Sequence, residues 1–331
     1  MARRLKSILP WLLALLVLGY LLSQNHPRDL INGLSQTDLW IFSTAAIFYF
    51  LIVYGLDVWS LHLVFNRFVL PTSAAELVRA RGATYLLSIL NFNAGQGALA
   101  IYFHKTRGAP LAKGLGAVLF MSAIDLLLVA TCALMALSFL SVNIRGINLS
   151  AWGRIAIPLL YLGYALWSYF WRHIGRGTLE QHAKNRFVRW FLAHGVFHTF
   201  REARVRDHVT VFLMRAPLLA IVLGAYNAAI YASGALINWT VLYLYNPIIM
   251  LITALPLTPA GLGTGQALTV ELFRHSLTGP ALATVPADTL LLTSSLIWFL
   301  ANQILKGITG AICLRGLSKN AFTEDSTLNK I

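Results

Sequence analysis

Apolar residues along this chain are grouped in long runs separated by short polar segments. A helix that crosses a bilayer needs about 20 mostly apolar residues. Six runs have roughly this length and predict spanning helices: Ile8–Leu22, Leu39–Phe65, Gly114–Val142, Arg154–Trp171, Val209–Gly234 and Pro286–Leu314. The first follows a basic N-terminus and precedes no small-residue cleavage site, which favours an uncleaved helix over a signal peptide.

Two further apolar segments are interrupted in the middle by helix-breaking residues. The first runs from Thr84 to Phe103 and contains Asn91–Gly97, and the second runs from Leu236 to Phe273 and contains Pro256–Gln266. Because lipid cannot satisfy freed backbone groups, such breaks occur only where they are buried in protein or line a wet cavity. We therefore predict two re-entrant or discontinuous helices, with two kinked ordinary spans as the alternative.

The distribution of basic residues predicts an orientation. With a cytoplasmic N-terminus, six crossings and both broken segments returning to their side of entry, 20 of the 26 Lys and Arg fall on the cytoplasmic side and four outside. This bias is the positive-inside pattern of membrane proteins. It places both termini in the cytoplasm and brings the two broken segments in from opposite sides. The two halves are then expected to be inverted repeats with a binding site near the midplane.

Composition supports this reading and excludes other classes. Of 331 residues, 57% are apolar and 11% are charged, against roughly 25% charged in soluble domains. The net charge of +14 is explained by cytoplasmic loops, so nucleic acid is not an expected partner. Cys132 and Cys313 both lie in apolar runs and indicate neither a disulfide framework nor a metal site.

The expected organisation is one integral membrane domain over residues 1–331. It divides into a first helix and outer loop (1–38), a first half (39–171), a basic cytoplasmic loop (172–208), a second half (209–314) and a tail (315–331). The basic loop is read as a solvated segment, with contact to anionic headgroups as the alternative.

Signatures of enzymes are missing. The chain has no phosphate-binding loop of the ATPases, no Asp-x-Asp pair and no nucleophile elbow. His194 and His198 have the spacing of a zinc helix but lack its glutamate. We therefore expect no catalytic residues, no cofactor and no metal.

Charged residues within the apolar runs are the strongest candidates for function, because such groups usually face a cavity or a partner. They are Asp57, Asp125, Arg215, Glu271 and Lys306. Asp57 and Lys306 each lie eight residues from the cytoplasmic end of a run, or about 12 Å deep, and a buried ion pair between them is our working hypothesis. A helix-packing contact without a transport role is the alternative. Glu271 is a candidate outer counterpart or proton-coupling group.

Arg79 and Arg81 stand just before the first break. Their planar guanidinium groups suit a lipid phosphate, and ordinary loop charge is the alternative reading. Around the breaks themselves, the candidate substrate-binding residues are Asn91, Asn93, Gln96, Pro256, Gly261, Gly263 and Gln266.

The two breaks and the helices around them, from about Leu39 to Leu314, resemble the lysylphosphatidylglycerol synthase transmembrane-region family, the flippase-like module of bacterial multiple peptide resistance factors. Leu255–Gly263 is similar to the family's Pro-then-Gly-x-Gly segment. Gln96 and Gln266 stand where the family usually has acids. The first break also lacks the family's proline. We expect no aminoacyl-transferring domain, since about 17 residues follow Leu314.

The resemblance implies a stand-alone protein of the bacterial inner membrane that translocates or presents a lipid. The lipid is left open among anionic, aminoacylated, polyprenyl-linked and hopanoid classes. Expected partners are membrane lipids, with a lipid-modifying enzyme or a second copy of the chain as further candidates. The alternatives are a membrane-embedded glycosyl- or lipid-transferase and a non-catalytic partner of a lipid-modifying complex.

Overall fold

The computed structural model describes residues 15–90, 92–139, 143–144, 147–174, 195–254, 258 and 261–328. These residues are almost entirely helical, which confirms the prediction of an all-α polytopic membrane protein. The α-helices are α1 (residues 15–23), α2 (Pro27–Ser35), α3 (Leu39–Phe68), α4 (Ala74–Leu90), α5 (Phe92–Arg107), α6 (Leu111–Phe139), α7 (Leu149–Ile174), α8 (His198–Glu202), α9 (Val205–Ala232), α10 (Trp239–Ala254), α11 (Thr264–Phe273) and α12 (Ala287–Leu328).

Four helices in the described part of the chain are long and apolar enough to cross a membrane: α3, α6, α9 and the Ala287–Arg315 part of α12. Each matches a predicted span to within a few residues. The run from Arg154 to Trp171 lies inside the 26-residue α7, which has the length but not the hydropathy of those four. Only the end of the first predicted span is described, as α1, so the total of six crossings stays a prediction.

Short polar side chains start several of these helices. Asp38 Oδ1 accepts hydrogen bonds from the backbone N–H groups of Trp40 and Ile41, at 2.9 and 3.0 Å, at the beginning of α3. Ser73 Oγ accepts one from the N–H of Glu76, at 3.2 Å, at the beginning of α4. These bonds satisfy donors that have no partner inside a helix.

The first broken segment is an antiparallel hairpin of α4 and α5. Next to the break the two helices touch, because a Cβ on Gly95 would lie 1.8 Å from Ser88 Oγ. At the other end Arg107 Nη1 lies 2.8 Å from Glu76 Oε2. At 17 and 16 residues, neither helix reaches the length of about 20 needed to cross. The chain thus runs out along α4 and back along α5, so that the segment begins and ends on the same side, as a re-entrant hairpin does. Its entry into a bilayer stays a prediction.

The second broken segment repeats this design with α10 and α11. A Cβ on Gly265 would lie 3.5 Å from Thr253 Cγ2 next to the break, and the rings of Tyr245 and Phe273 pack 6.0 Å apart towards the open end. Two antiparallel two-residue strands, β3 (Leu236–Ile237) and β4 (Leu277–Thr278), pair beyond that end. Another short pair, β1 (Asn143–Ile144) with β2 (Ile147–Asn148), precedes α7.

The element order therefore occurs twice: a long helix, a short hairpin and a second long helix, first as α3 to α6 and again as α9 to α12. Two inverted repeats must have the same order of helices, and the structure shows such a repeated order. The inversion itself stays a prediction.

The chain divides into two compact units. Unit 1 comprises Met1–Val53, Leu128–Pro158 and Pro217–Ile304, and unit 2 comprises Tyr54–Leu127, Leu159–Ala216 and Leu305–Ile331. The core of unit 1 is built from residues such as Leu242, Phe273 and Leu290. The core of unit 2 is richer in large aromatic rings: Phe65, Phe103, Phe120, Trp171 and Phe200.

Candidate functional site

Unit 2 contains a network of buried charges on three long helices and the first hairpin. Asp57 on α3 stands between two arginines: its Oδ2 accepts from Arg81 Nε at 2.6 Å, and its Oδ1 from Arg215 Nη1 at 2.7 Å. Arg215 on α9 in turn holds Asp125 on α6 through two parallel bonds of 2.6 and 2.5 Å. The hydroxyl of Ser60, one turn after Asp57, accepts a further bond from Arg215 at 3.1 Å.

Pairing explains why these charges can be buried. A charged side chain at the centre of a membrane helix costs about 2.5–3.5 kcal/mol on insertion scales. The side chains of Arg81, Asp57 and Arg215 are only 4%, 9% and 10% exposed, whereas that of Asp125 is 34% exposed. The network holds two acids and two bases without net charge, and Asp125 is its accessible member.

Arg81 connects this network to the first hairpin. It lies on α4, and its Nη1 donates to Oε1 of Gln96 on α5 at 3.2 Å. Its guanidinium also lies over the ring of Tyr85, 5.1 Å from the ring centre, a favourable placement of a cation on an aromatic face. The hairpin is thereby attached to α3, because one arginine contacts α3, α4 and α5 together.

Lys306 does not pair with Asp57 as the hypothesis from the sequence requires. Both carboxylate oxygens of Asp57 are bound by arginines instead. Lys306 lies on α12, which packs against α4 through small residues: a Cβ on Gly310 would lie 2.6 Å from Leu86, and one on Gly307 would lie 3.8 Å from Ile89. This register places Lys306 on the side of the hairpin where α4 ends.

A pocket of about 470 Å³ lies in the same unit between α6, α7 and α9. Its wall is mainly apolar and aromatic, with Tyr161 and Phe212 among its residues. Its polar groups include Arg172, Ser168 and the hydroxyl of Tyr164, which is hydrogen-bonded to His208 Nδ1 at 2.9 Å. Size and lining match those of small-molecule sites, which are mostly apolar with a few polar groups.

The second break lies in unit 1, and its glutamine, Gln266, has a local structural role. Gln266 is buried, and its Oε1 accepts from the backbone N–H of Gly263 at 2.7 Å, which closes the first turn of α11. Gly261 and Gly263 have φ angles of +76° and +83°, where glycine is strongly favoured. Glu271 pairs with Arg274 at 3.0 Å on the surface of the unit.

The remaining candidates are placed as follows. Arg79 is half-buried on α4 and is not a member of the charge network. Asn91 and Pro256 lie outside the described residues. The backbone of Asn93 belongs to α5, and its side chain lies outside what the structure describes. The structure thus brings together Asp57, Arg81, Gln96, Asp125 and Arg215.

Sequence reasoning missed two contributors to unit 2. Ser60 could have been found, because it is a polar residue one helical turn from a buried acid. The pairing of Tyr164 with His208 could not, because 44 residues separate the two and nothing in the pattern says that α7 and α9 are neighbours.

The family model that matches the chain is described as the lysylphosphatidylglycerol synthase TM region, and it covers residues 7–305. The chain belongs to this family. The match includes both hairpins and the whole charge network, and it ends one residue before Lys306. No curated protein was found to match the chain. As a family member the protein is a membrane module related to lipids, and the particular lipid is a matter for proposal.

Proposed function

We propose that this protein translocates a lipid across the bacterial inner membrane, in the manner of a flippase. The observation that carries the proposal is the buried charge network of Asp57, Arg81, Asp125 and Arg215. Its four charges lie on four helices, and three of those helices are long and apolar enough to span a membrane. Intramembrane charges of this kind characteristically mark a pathway for substrate or ions.

A polar headgroup meets a large barrier in hydrocarbon, because its groups lose their hydrogen bonds to water. The network offers replacement partners at depth, and the carboxylate of Asp125, which is about one-third exposed, is where a headgroup or water can reach them. The fixed ion pairs do not have to reorganise when the headgroup arrives, so the passage costs less than it does in lipid alone.

The aromatic pocket supports a lipid rather than a small polar solute. Ile124 and Leu127, which line it, lie on α6 as Asp125 does, and Phe212 lines it one turn before Arg215 on α9. The pocket and the charge network therefore share α6 and α9 within unit 2. An amphiphile can place its headgroup at Asp125 while its acyl chain lies along the apolar wall.

The predicted orientation puts this site on the cytoplasmic side. Unit 2 consists of segments that include the basic loops and tail assigned to the cytoplasm by the charge count. We accordingly propose that lipid enters from the inner leaflet and that both termini are cytoplasmic. A reporter enzyme that is active only in the cytoplasm should be active when it is fused to either terminus. Activity of a reporter that works only in the periplasm, at either terminus, would overturn the orientation.

The substrate classes remain anionic, aminoacylated, polyprenyl-linked and hopanoid lipids, and a lipid-modifying enzyme or a second copy of the chain are the proposed protein partners. The competing activity is transfer of a sugar or lipid group inside the membrane. Incorporation of a labelled sugar into lipid by the purified protein would favour that competitor over translocation.

The test is movement of fluorescent lipids in proteoliposomes, read as the fraction that becomes accessible to a membrane-impermeant quencher. Asp125→Asn removes the accessible charge and should slow transport about tenfold or more, as the loss of a charge-assisted hydrogen bond predicts. Glu271→Gln is the matched control, since Glu271 is a surface acid in unit 1 with a 65% exposed side chain, and it should transport normally. The proposal fails if the wild-type protein moves none of the four lipid classes.

A further inference from the structure

The pocket between α6, α7 and α9 is polar at one end and apolar at the other. Arg172 lines it two residues before the end of α7, and His208 lines it in the first turn of α9. Phe212 lines it one turn further along α9, and Ile124 lies one turn beyond Phe120, whose ring packs 4.9 Å from that of His208. The polar end is therefore where α7 ends and α9 begins, and the apolar wall lies deeper along the helices.

The distance between the two ends matches one leaflet of a bilayer. Both Arg172 and Tyr161 line the pocket, and α7 rises about 16 Å between them. The hydrocarbon core of a bilayer is about 30 Å thick, so each leaflet contributes about 15 Å. In the predicted orientation Arg172 lies near the cytoplasmic surface, at the level of the inner-leaflet phosphates, and the apolar wall lies at the depth of the acyl chains.

The pocket is open along one side of α9. Val205, Val209 and Leu213 line it at intervals of four residues, yet they are 72%, 50% and 62% exposed. Side chains that line a pocket and also face outwards form its rim. Because α9 is long and apolar enough to span a membrane, this rim faces lipid. An acyl chain can therefore enter the pocket sideways, while a second chain of the same lipid stays in the bilayer.

The charge of the lining selects the headgroup. Arg172 is the one Arg or Lys among the described residues that line the pocket, and no Asp or Glu is among them. Within the described part of the chain, no Asp or Glu oxygen lies within 4.0 Å of its guanidinium. Asp207, the neighbour of His208, pairs with Arg67 at 3.7 Å instead. The planar guanidinium thus suits the oxygens of a phosphate, whereas the ammonium of a zwitterionic headgroup finds no carboxylate in the lining.

We propose that this pocket takes up one acyl chain of an anionic phospholipid from the inner leaflet, with the lipid phosphate bound by Arg172. This deepens the proposed function, on which it rests, by selecting the anionic class among the lipids left open above. Arg172 holds the lipid at entry, before its headgroup reaches Asp125. The acyl chain distinguishes this ligand from free phosphate, which makes no contact with the apolar wall.

The experiment uses proteoliposomes of phosphatidylcholine that contain a trace of phosphatidylglycerol with a diazirine in one acyl chain. Light couples that chain to the side chains it touches, and mass spectrometry identifies the labelled peptides. Phosphatidylglycerol should label the peptides of α7 and α9 that line the pocket several-fold more than phosphatidylcholine with the same diazirine chain. Equal labelling by the two lipids, or no labelling of these peptides, would overturn the inference.

Excess glycerol 3-phosphate in the buffer tests the alternative source of phosphate. It should leave the labelling by phosphatidylglycerol unchanged, because it has no acyl chain to place in the pocket. Competition by glycerol 3-phosphate would show that the site takes free phosphate and would overturn the lipid assignment.

Three variants separate charge from shape. Arg172→Gln should lower labelling of the pocket by phosphatidylglycerol about tenfold or more, as the loss of a charge-assisted hydrogen bond predicts, and Arg172→Lys should restore part of it because the charge returns without the planar fork. Ala165→Phe enlarges a side chain that lines the pocket and should also lower the labelling, although Arg172 is kept. Arg154→Gln, which removes an exposed arginine from the same helix, is the matched control and should change nothing. Unchanged labelling of Arg172→Gln or of Ala165→Phe would contradict the proposed site.

Labelling and transport separate this inference from the proposed function. If phosphatidylglycerol labels the pocket in an Arg172-dependent way but no lipid crosses the proteoliposome membrane, translocation is refuted and the entry site stands. If lipids cross but Arg172→Gln takes up and transports phosphatidylglycerol as the wild type does, the entry site is refuted and translocation stands.

Discussion

Replacing Asp57 with asparagine tests the charge network most directly. In the wild type its two carboxylate oxygens bind Arg81 and Arg215 at 2.6 and 2.7 Å, and its side chain is only 9% exposed. Asparagine keeps the size but leaves two buried guanidinium groups, with Asp125 as the one acid left in the network. Because loss of one partner leaves the other charges uncompensated, we expect the free energy of unfolding to fall by about 3–5 kcal/mol.

Asp125→Asn is the internal comparison. Arg215 keeps its bond to Asp57 in this variant, and the site of the change is 34% exposed, so water can replace part of the lost interaction. The expected cost is about 1–3 kcal/mol. Glu271→Gln, which removes a surface pair with Arg274, should cost at most about 1 kcal/mol.

Unfolding in mixed micelles, titrated with a denaturing detergent and followed by tryptophan fluorescence, gives the three free energies on one scale. We predict that the loss of unfolding free energy is largest for Asp57→Asn, smaller for Asp125→Asn and smallest for Glu271→Gln. Equal costs for the two aspartate variants would refute the view that Asp57 is the centre of the network. The double variant Asp57→Asn, Arg81→Met should cost less than the sum of its single changes, because the two side chains are in contact.

Two further predictions concern packing within the units, and both are read from the Tm. In α5, Gly95→Ala should lower the free energy of unfolding by about 1–3 kcal/mol, because its Cβ would collide with Ser88. Gly97→Ala should raise it by up to about 1 kcal/mol, because no atom lies within 4 Å of the added Cβ. A loss of stability at both positions would contradict the hairpin contact. In unit 1, Tyr226→Phe removes the hydroxyl that donates to Thr269 at 3.1 Å and should cost about 0.5–1.5 kcal/mol. An unchanged Tm for Tyr226→Phe would mean that this bond adds nothing to stability.

The hairpins show how far local sequence can lead. The two interruptions were predicted from residue type, because glycine, proline and asparagine have low helix propensity. Their extent was not, since α5 already begins at Phe92 and contains most of Asn91–Gly97. The contact of Gly95 with Ser88 was not found, since it depends on how α4 and α5 turn towards each other about their axes. The role of Gln266 as a substrate contact stays a prediction, and the structure adds its bond to Gly263, which gives it a local structural role.

For the buried charges too, the sequence predicts their positions along the chain but not their partners. By itself the sequence determined that this is a membrane protein, where four of its long helices lie, and which charged residues lie within them, because length and hydropathy are local properties. Only the tertiary structure decided the partners: Asp57 binds Arg81 and Arg215 rather than Lys306. Asp57 and Arg215 are 158 positions apart, and a pair at that distance forms only where two helices are neighbours and present the facing sides. The position of a helix follows from a continuous run of apolar residues, whereas the partner of each charge depends on how helices far apart along the chain pack together.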